Sequence, residues 1–321
     1  MWCFSRSGPA LLTLAASTVV SASVLAAEAD GKRFVIIHAD DAGMSHSVNR
    51  ATIDAMEQGV VSSASIMVPC AWFSEFAEYA NKNPEKDYGI HLTLTSEWDH
   101  YRWGPVAGRE NVPSLVDKEG YLWDGSGDVA ANAKANEVEI ELRAQIDRAQ
   151  QFGVPLSHLD THMGSVFGRA DLAEIYVRLG VEYQLPVLFL RPEGNFMLFV
   201  AYPAMKDIAE QLTGVLDREG FPVLNSIFQY YEKGEHEKRK QVYLNRLGKL
   251  KPGVTEIIIH CGYDNEELQG ITSSNELRDS DRRVFTDPEV KAAIEKEGVE
   301  LITWRQFFKM SKANGAAAAG Q

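Results

Sequence analysis

Short apolar segments alternate with longer segments of helical periodicity along most of this chain, and this alternation constrains the fold more than any other feature. The apolar segments, rich in β-branched residues, are 34–38, 62–68, 89–94, 156–159, 187–190, 222–224, 256–259 and 299–302. The segments predicted to be helical are 46–58, 72–81, 136–151, 170–180, 202–219, 235–249, 287–296 and 304–310. Because the apolar segments are continuous, both faces of each strand are expected to be buried, which is typical of a parallel sheet. Eight such repeats predict an α/β fold built as a (β/α) barrel.

An open, doubly wound sheet is the alternative to a barrel. A nucleotide-binding sheet of that kind carries a glycine-rich turn after its first strand. In this chain Asp40-Asp41-Ala42-Gly43 occupies that position. The sequence therefore favours the barrel.

The amino terminus has the layout of a signal peptide. Arg6 is the one charged residue among residues 1–27, and an apolar run rich in small residues follows over 10–26. Cleavage is predicted after about Ala26, so residues 1–26 are removed and the protein is exported, periplasmic or secreted. A buried helix or an uncleaved anchor is the alternative, but serine, threonine and alanine dilute the run below the hydrophobicity of a spanning helix.

The rest of the chain is predicted to form a single barrel domain at 27–312, followed by a disordered tail at 313–321. One interval, 95–135, shows no clear helix or strand and is rich in aromatic residues. Its tryptophans, Trp98, Trp103 and Trp123, are candidates for stacking on sugar rings. The alternative is that these rings form a small core of their own over the barrel.

Charge and cysteine content limit the partners. The chain has 32 Lys and Arg against 45 Asp and Glu, a formal net charge of −13, so it lacks the basic surface that nucleic-acid binding needs. No later segment has the length of a membrane span, so no stable membrane insertion is expected after cleavage. The sequence leaves open whether Cys70 and Cys261 form a disulfide and whether the protein is a homodimer.

Acidic and histidine residues gather at the carboxyl ends of the predicted strands. Asp40 and Asp41 follow the first strand, His91 lies on the third, and His162 and His260 follow the fourth and the seventh. In (β/α) barrels these strand ends form the reactive face. Two imidazoles and one carboxylate can hold a divalent metal with positions open for water and substrate, while a second carboxylate acts as a base. The alternative role for the aspartates is to cap the next helix.

Four other features near these strand ends have two interpretations each. Arg191 either contacts the substrate or base or forms a structural ion pair. His38 and His158 are core residues or neighbours of the site. The charged segment 264–283 is a lid over the cleft or a solvated loop.

At these residues the sequence resembles the YdjC-like carbohydrate deacetylases, of which chitooligosaccharide deacetylase is the name-giving activity. The matching segments are 34–45, 48–50, 62–68, 89–95, 157–162 and the stretch from Pro252 to Pro288. The resemblance implies a (β/α) barrel of the glycoside hydrolase/deacetylase type, regular or distorted, that removes an acetyl group from an N-acetylated sugar with one divalent metal.

The resemblance also implies roles for five residues. Asp41, His91 and His162 would bind the metal, and Asp40 would be the general base. His260 would protonate the leaving amine or stabilise the tetrahedral intermediate. The family is usually described with magnesium, whereas two imidazoles suit zinc better.

The chain departs from its relatives in the wall of the cleft. Ala42, Cys261 and Met163-Gly164-Ser165 stand where relatives commonly have phenylalanine, proline and a histidine-rich run. The substrate is therefore the least constrained expectation. Hydrolysis of O-acetyl esters or other amides, and a non-catalytic carbohydrate-binding protein, are the alternative functions.

Overall fold

The computed structural model describes residues 31–193 and 196–319, with the side chains of 196–198 and 314–319 excepted. The predicted signal peptide, residues 1–26, lies outside the described residues.

Strands and helices alternate through the described part of the chain. The strands are β1 (Arg33–Ala42), β2 (Ser63–Ile66), β3 (Tyr88–Leu92), β4 (Leu156–Thr161), β5 (Ser226–Phe228), β6 (Gly253–His260) and β7 (Val299–Leu301). The α-helices are α1 (His46–Gln58), α2 (Phe73–Lys82), α3 (Ser126–Asn132), α4 (Ala135–Gln151), α5 (Ala170–Tyr183), α6 (Phe196–Ala201), α7 (Ala209–Arg218), α8 (His236–Leu247), α9 (Glu266–Ile271), α10 (Asn275–Thr286), α11 (Pro288–Lys296) and α12 (Trp304–Ala319). Short 3₁₀ turns occupy Pro113–Leu115, His162–Gly168 and Pro203–Met205.

All paired strands are parallel, and they close into a ring. Hydrogen bonds connect β4, β3, β2, β1, β6 and β5 in that order. The gap between β4 and β5 is closed by segments 187–190 and 222–225, which bridge to β4, to each other and to β6. The predicted α/β fold with a parallel (β/α) barrel is confirmed.

The ring is irregular at those two segments. The sequence predicts strands at 187–190 and 222–224, whereas the structure has isolated bridges there and places β5 farther along the chain. Pro186 and Pro222 stand at the start of the two segments. Because proline has no N–H group, it cannot donate to a strand ladder, so regular pairing is interrupted there.

Two apolar cores stabilise the barrel. The larger core fills the space between the strands and the surrounding helices. The smaller core fills the barrel interior; it consists of Phe34, Ile36, Leu188, Leu190, Leu224, Val254, Ile258, Ile302, Trp304 and Phe307. On β1 the inward-facing residues change from apolar, Phe34 and Ile36, to ionisable, His38 and Asp40, toward the carboxyl end, which places the polar site at one end of the barrel.

The aromatic interval 95–135 is an ordered insertion. It contains α3 and two isolated β bridges, which the sequence does not predict. Glu141 on α4 accepts hydrogen bonds from the amides of Val106 and Ala107, at 2.9 and 2.8 Å, and ties the insertion to the barrel.

The charged segment 264–283 is not a solvated loop. It forms α9 and most of α10, and Arg278, Asp281 and Phe285 of α10 are buried. Helix α10 packs against α1 and β6. This segment is therefore part of the wall of the barrel.

The carboxyl terminus also differs from the prediction. Helix α12 continues to Ala319, where the sequence predicts a disordered tail from residue 313. Alanine has the highest intrinsic helix propensity, which accounts for the continuation through the alanine-rich end. Cys70 and Cys261 are both buried and unbonded to each other. Within the described residues, every helix is too short or too polar to cross a membrane.

Candidate metal centre

Strand register brings the predicted site residues to one end of the barrel. Asp40 on β1 lies opposite His260 on β6. His91 on β3 lies opposite Asp160 on β4, and His162 follows β4 directly. Because side chains alternate between the two faces of a strand, these residues all point into the barrel at its carboxyl end.

Asp41, His91 and His162 converge on one point. The Oδ1 atom of Asp41 lies 3.4 Å from Nε2 of His91 and 3.3 Å from Nδ1 of His162. One donor atom from each residue lies within 4.8 Å of the other two, and all three side chains are buried. Asp41 has a φ of 65°, a left-handed conformation that costs about 1 kcal/mol outside glycine, and its carboxylate lies on the same side as that of Asp40, since both are within 4 Å of Nε2 of His91.

Each imidazole is backed by its own carboxylate. Nδ1 of His91 lies 2.6 Å from Oδ1 of Asp160, and Nε2 of His162 lies 3.0 and 3.2 Å from the two oxygens of Glu97. Since a carboxylate only accepts, these nitrogens donate, and the other nitrogen of each ring faces Asp41. Metal-binding histidines commonly donate their second N–H to a carboxylate in this way.

The Asp41 oxygen that faces the two imidazoles also fits metal binding. Oδ1 of Asp41 is buried and makes no hydrogen bond within the described residues. A buried carboxylate oxygen without a donor is costly, and a cation between it and two imidazole nitrogens would remove that cost. The donor set therefore fits a divalent metal.

Arg278 binds the other oxygen of Asp41. Its Nη2 donates to Oδ2 of Asp41 at 2.6 Å, so Asp41 offers a single oxygen to the centre. Burial raises the pKa of Asp41, but the charge of Arg278 and the two imidazoles beside it outweigh burial and hold the pKa well below its usual range. Asp41 is therefore ionised at neutral pH.

Asp40 and His260 lie beside the triad. Oδ2 of Asp40 is 3.8 Å from Nε2 of His260 and 3.7 Å from Nε2 of His91. Burial lowers the pKa of His260 to about 4. The carboxylates of Asp41 and Asp40 act to raise this pKa, and the charge of Arg278 acts to lower it. His260 is therefore neutral at rest.

A second layer of ionisable residues lies directly below. Nε2 of His38 is 2.9 Å from Oδ2 of Asp160 and 3.2 Å from Oδ1 of Asp40. His158 stacks on Trp304 with ring centroids 5.0 Å apart, and burial lowers its pKa, so it is neutral. Both histidines are buried and lie next to the site. The sequence left open whether they are core residues or neighbours of the site, and the structure agrees with both descriptions.

The other predicted contact residues lie in different environments. Trp98 is 6.4 Å from the ring of His162, whereas Trp103 is buried against Trp98, and Trp123 donates its indole N–H to the Ser114 carbonyl within the insertion. Trp103 is thus part of the larger apolar core, and Trp123 packs against it.

Arg191 makes a two-point ion pair with Asp217, at 2.8 and 3.1 Å. It is not among the residues that line the cavity at the triad. The sequence predicted either a contact to the substrate or base or a structural ion pair for Arg191, and the ion pair with Asp217 agrees with the second interpretation.

A cavity of about 950 Å³ opens at this end of the barrel. Asp40, His91, His162 and His260 line it, together with Met163 and Tyr231. This volume is at the upper end of the range of small-molecule sites.

Sequence reasoning assigned no role to three residues that contact the triad. Asp160 could have been found, because it shares the inward face of β4 with His158 and His162. Arg278 lies in the stretch that resembles the family, but neither composition nor periodicity marks it. Glu97 gave no signal, because it comes from the insertion.

Residues 34–296 match a family described as YdjC-like protein. The chain belongs to the YdjC-like family. The predicted resemblance is confirmed, and the match spans the barrel from β1 through α11.

Relatives of this YdjC-like chain cover almost all of the described residues. A carbohydrate deacetylase of Thermus thermophilus is 33% identical over 275 residues, which are 86% of this chain and 94% of the relative. A carbohydrate deacetylase of Thermoanaerobacter pseudethanolicus is 26% identical over 272 residues, 85% and 98% of the two chains. A crystal structure from Enterococcus faecalis, named as a cellobiose-phosphate cleavage protein, is 28% identical with a TM-score of 0.70 and covers 86% of this chain and 98% of that one.

Proposed function

We propose that this protein is a metal-dependent carbohydrate deacetylase that removes the acetyl group from an N-acetylated sugar or oligosaccharide. The observation that carries the proposal is the convergence of Asp41, His91 and His162, with a carboxylate behind each imidazole. The names of its relatives in Thermus and Thermoanaerobacter support the reaction.

A divalent metal bound by Asp41, His91 and His162 would polarise the acetyl carbonyl and acidify a water molecule. Two imidazoles among three ligands favour zinc over magnesium on ligand softness. With a metal bound, Asp160 and Glu97 would hold the two rings in the tautomers whose second nitrogen is free to bind it.

Asp40 and His260 move the protons. Asp40 accepts a proton from the water that attacks the acetyl carbon, because its carboxylate lies beside the centre and is not needed as a ligand. The C–N bond then breaks, and the sugar nitrogen takes up a proton from His260. An imidazole whose pKa is about 4 gives up a proton readily, and Asp40, whose Oδ2 lies 3.8 Å from Nε2 of His260, can supply it through one bridging water. The products are acetate and a free amino sugar.

The substrate class and the location belong to the same proposal. A cavity of about 950 Å³ accommodates a small carbohydrate of more than one ring. With residues 1–26 removed as a signal peptide, the enzyme would act outside the cytoplasm.

Release of acetate from N-acetylglucosamine oligomers tests the function, with zinc or magnesium supplied to the chain that begins at residue 27. Activity is expected in the wild type and is expected to fall at least about 100-fold in Asp40→Asn. Asp171→Asn, a surface aspartate paired with Arg169, is the matched control and should keep full activity.

Three results separate the alternatives. Acetate from O-acetylated sugars but from no N-acetylated one would identify an esterase. Sugar binding by wild type and Asp40→Asn alike, without acetate release from either, would identify a carbohydrate-binding protein. No release and no binding with either metal would overturn the proposal.

A further inference from the structure

Tyr231 combines exposure with a position at the reactive end of the cavity. It follows β5 by three residues, and its side chain lines the same cavity as Asp40 and His260. The residue is 57% exposed, more than any other described aromatic residue that lines this cavity. An exposed aromatic ring in a binding cavity loses apolar contact with water when a ligand covers it.

A buried ion pair fixes the backbone on both sides of Tyr231. Arg239 donates to the carbonyls of Tyr230 and Glu232, both at 2.7 Å, and to Oδ1 of Asp281 at 3.0 Å. Arg239 and Asp281 are both buried. The loop that carries Tyr231 is therefore held in place although the side chain is exposed.

The same ion pair holds His260. Oδ2 of Asp281 accepts the hydrogen bond of the His260 amide at 3.2 Å. The hydroxyl of Tyr231 lies 3.4 Å from Nε2 of His260, and the two ring centroids are 5.3 Å apart. Tyr231 and His260 are thus positioned relative to each other before any substrate binds.

We propose that Tyr231 is a substrate-binding and positioning residue of this site, and this inference rests on the proposed function. Its ring supports the apolar face of the pyranose that carries the acetyl group. Its hydroxyl holds Nε2 of His260 in the orientation from which the imidazole reaches the leaving nitrogen. The sequence predicted a sugar contact for tryptophans of the insertion and assigned none to Tyr231.

Two substitutions separate the ring from the hydroxyl. Tyr231→Phe keeps the ring, so KM should stay within about twofold of the wild type while kcat falls about tenfold. Tyr231→Ala removes both, so the same loss of kcat should come with a rise in KM of about tenfold. Both are measured as acetate release from an N-acetylglucosamine oligomer with saturating zinc.

Tyr121→Ala is the matched control. Tyr121 is also an exposed tyrosine, in the insertion, and it does not line the cavity. Its substitution should change neither constant. Thermal unfolding of the two Tyr231 variants should match the wild type, because the substituted side chain is exposed.

The split between kcat and KM decides the inference. Wild-type kcat and KM in both Tyr231 variants would overturn it entirely. A rise in KM for Tyr231→Ala without a loss of kcat in Tyr231→Phe would overturn the positioning of His260 and leave the sugar contact. Failure of the proposed function itself is visible separately, because the wild type would then release no acetate.

Discussion

Glu97 offers a direct test of the metal centre, because it contacts His162 and lies outside the triad. Its two oxygens are 3.0 and 3.2 Å from Nε2 of His162. Burial raises the pKa of Glu97, but the charge and hydrogen bond of His162 outweigh it and lower the pKa below the ordinary value, so Glu97 is ionised at neutral pH. Glu97→Gln removes this negative charge with little change of volume.

The expected effect is a loss of metal affinity. Without the carboxylate, the imidazole of His162 is a weaker base and its orientation is less fixed. Substitution of such a carboxylate commonly weakens metal binding 10- to 100-fold, which corresponds to about 1.4 to 2.7 kcal/mol. The dissociation constant for Zn²⁺ is measured on metal-free protein by competition with a chromophoric chelator.

Glu75→Gln is the matched control. Glu75 makes the same kind of contact, 2.7 Å from Nδ1 of His46, on an exposed part of the surface. Its substitution should leave the Zn²⁺ dissociation constant unchanged. The assignment of His162 as a ligand is refuted if Glu97→Gln binds Zn²⁺ within twofold of the wild type, or if both variants lose affinity equally.

Three further predictions concern packing, charge and processing. A Cβ atom on Gly89 would lie 2.4 Å from Nε2 of His158, so Gly89→Ala should destabilise the fold by about 1 to 3 kcal/mol in thermal unfolding, whereas Gly127→Ala meets no atom within 4 Å and should not. Hydrogen bonds from two arginines lower the pKa of Glu139 to about 2, so Glu139→Gln should cost about 1 kcal/mol or less at pH 7, and the difference should shrink as the pH falls from 4.5 toward 2. A difference that grows in acid would contradict this sign. Mass spectrometry of the exported protein should find the chain beginning just after Ala26, and an intact amino terminus would contradict the signal peptide.

The barrel and its reactive end follow from local sequence. A continuous apolar strand must bury both of its faces, and it does so in a parallel sheet that is covered by helices. Repetition of the strand–helix unit then closes the sheet into a ring. Once the strands are parallel, their carboxyl ends lie together. Asp40, Asp41, His91, His162 and His260 each lie within the last three residues of a strand or directly after one, so their proximity could be predicted without knowledge of any contact.

Irregular parts of the fold could not be predicted in this way. Segments 187–190 and 222–224 have the composition of strands but only bridge to their neighbours. Helix α10 has a strongly polar sequence, yet Arg278, Ser280 and Asp281 on it are buried. A polar segment can be buried when partners far away in sequence neutralise its charges, and its composition alone then wrongly predicts a solvated loop.

The sequence by itself determined the parallel barrel, the residue types of the candidate metal centre and the strand ends at which they lie, because these depend on periodicity within single elements. Only the tertiary structure decided which groups form hydrogen bonds to those residues and orient them. Glu97 comes from an insertion, Arg278 from a late helix, and Tyr231 from a loop fixed by Arg239 and Asp281. Their contacts join segments that no local pattern connects, since a hydrogen bond between distant residues leaves no periodic trace in either segment.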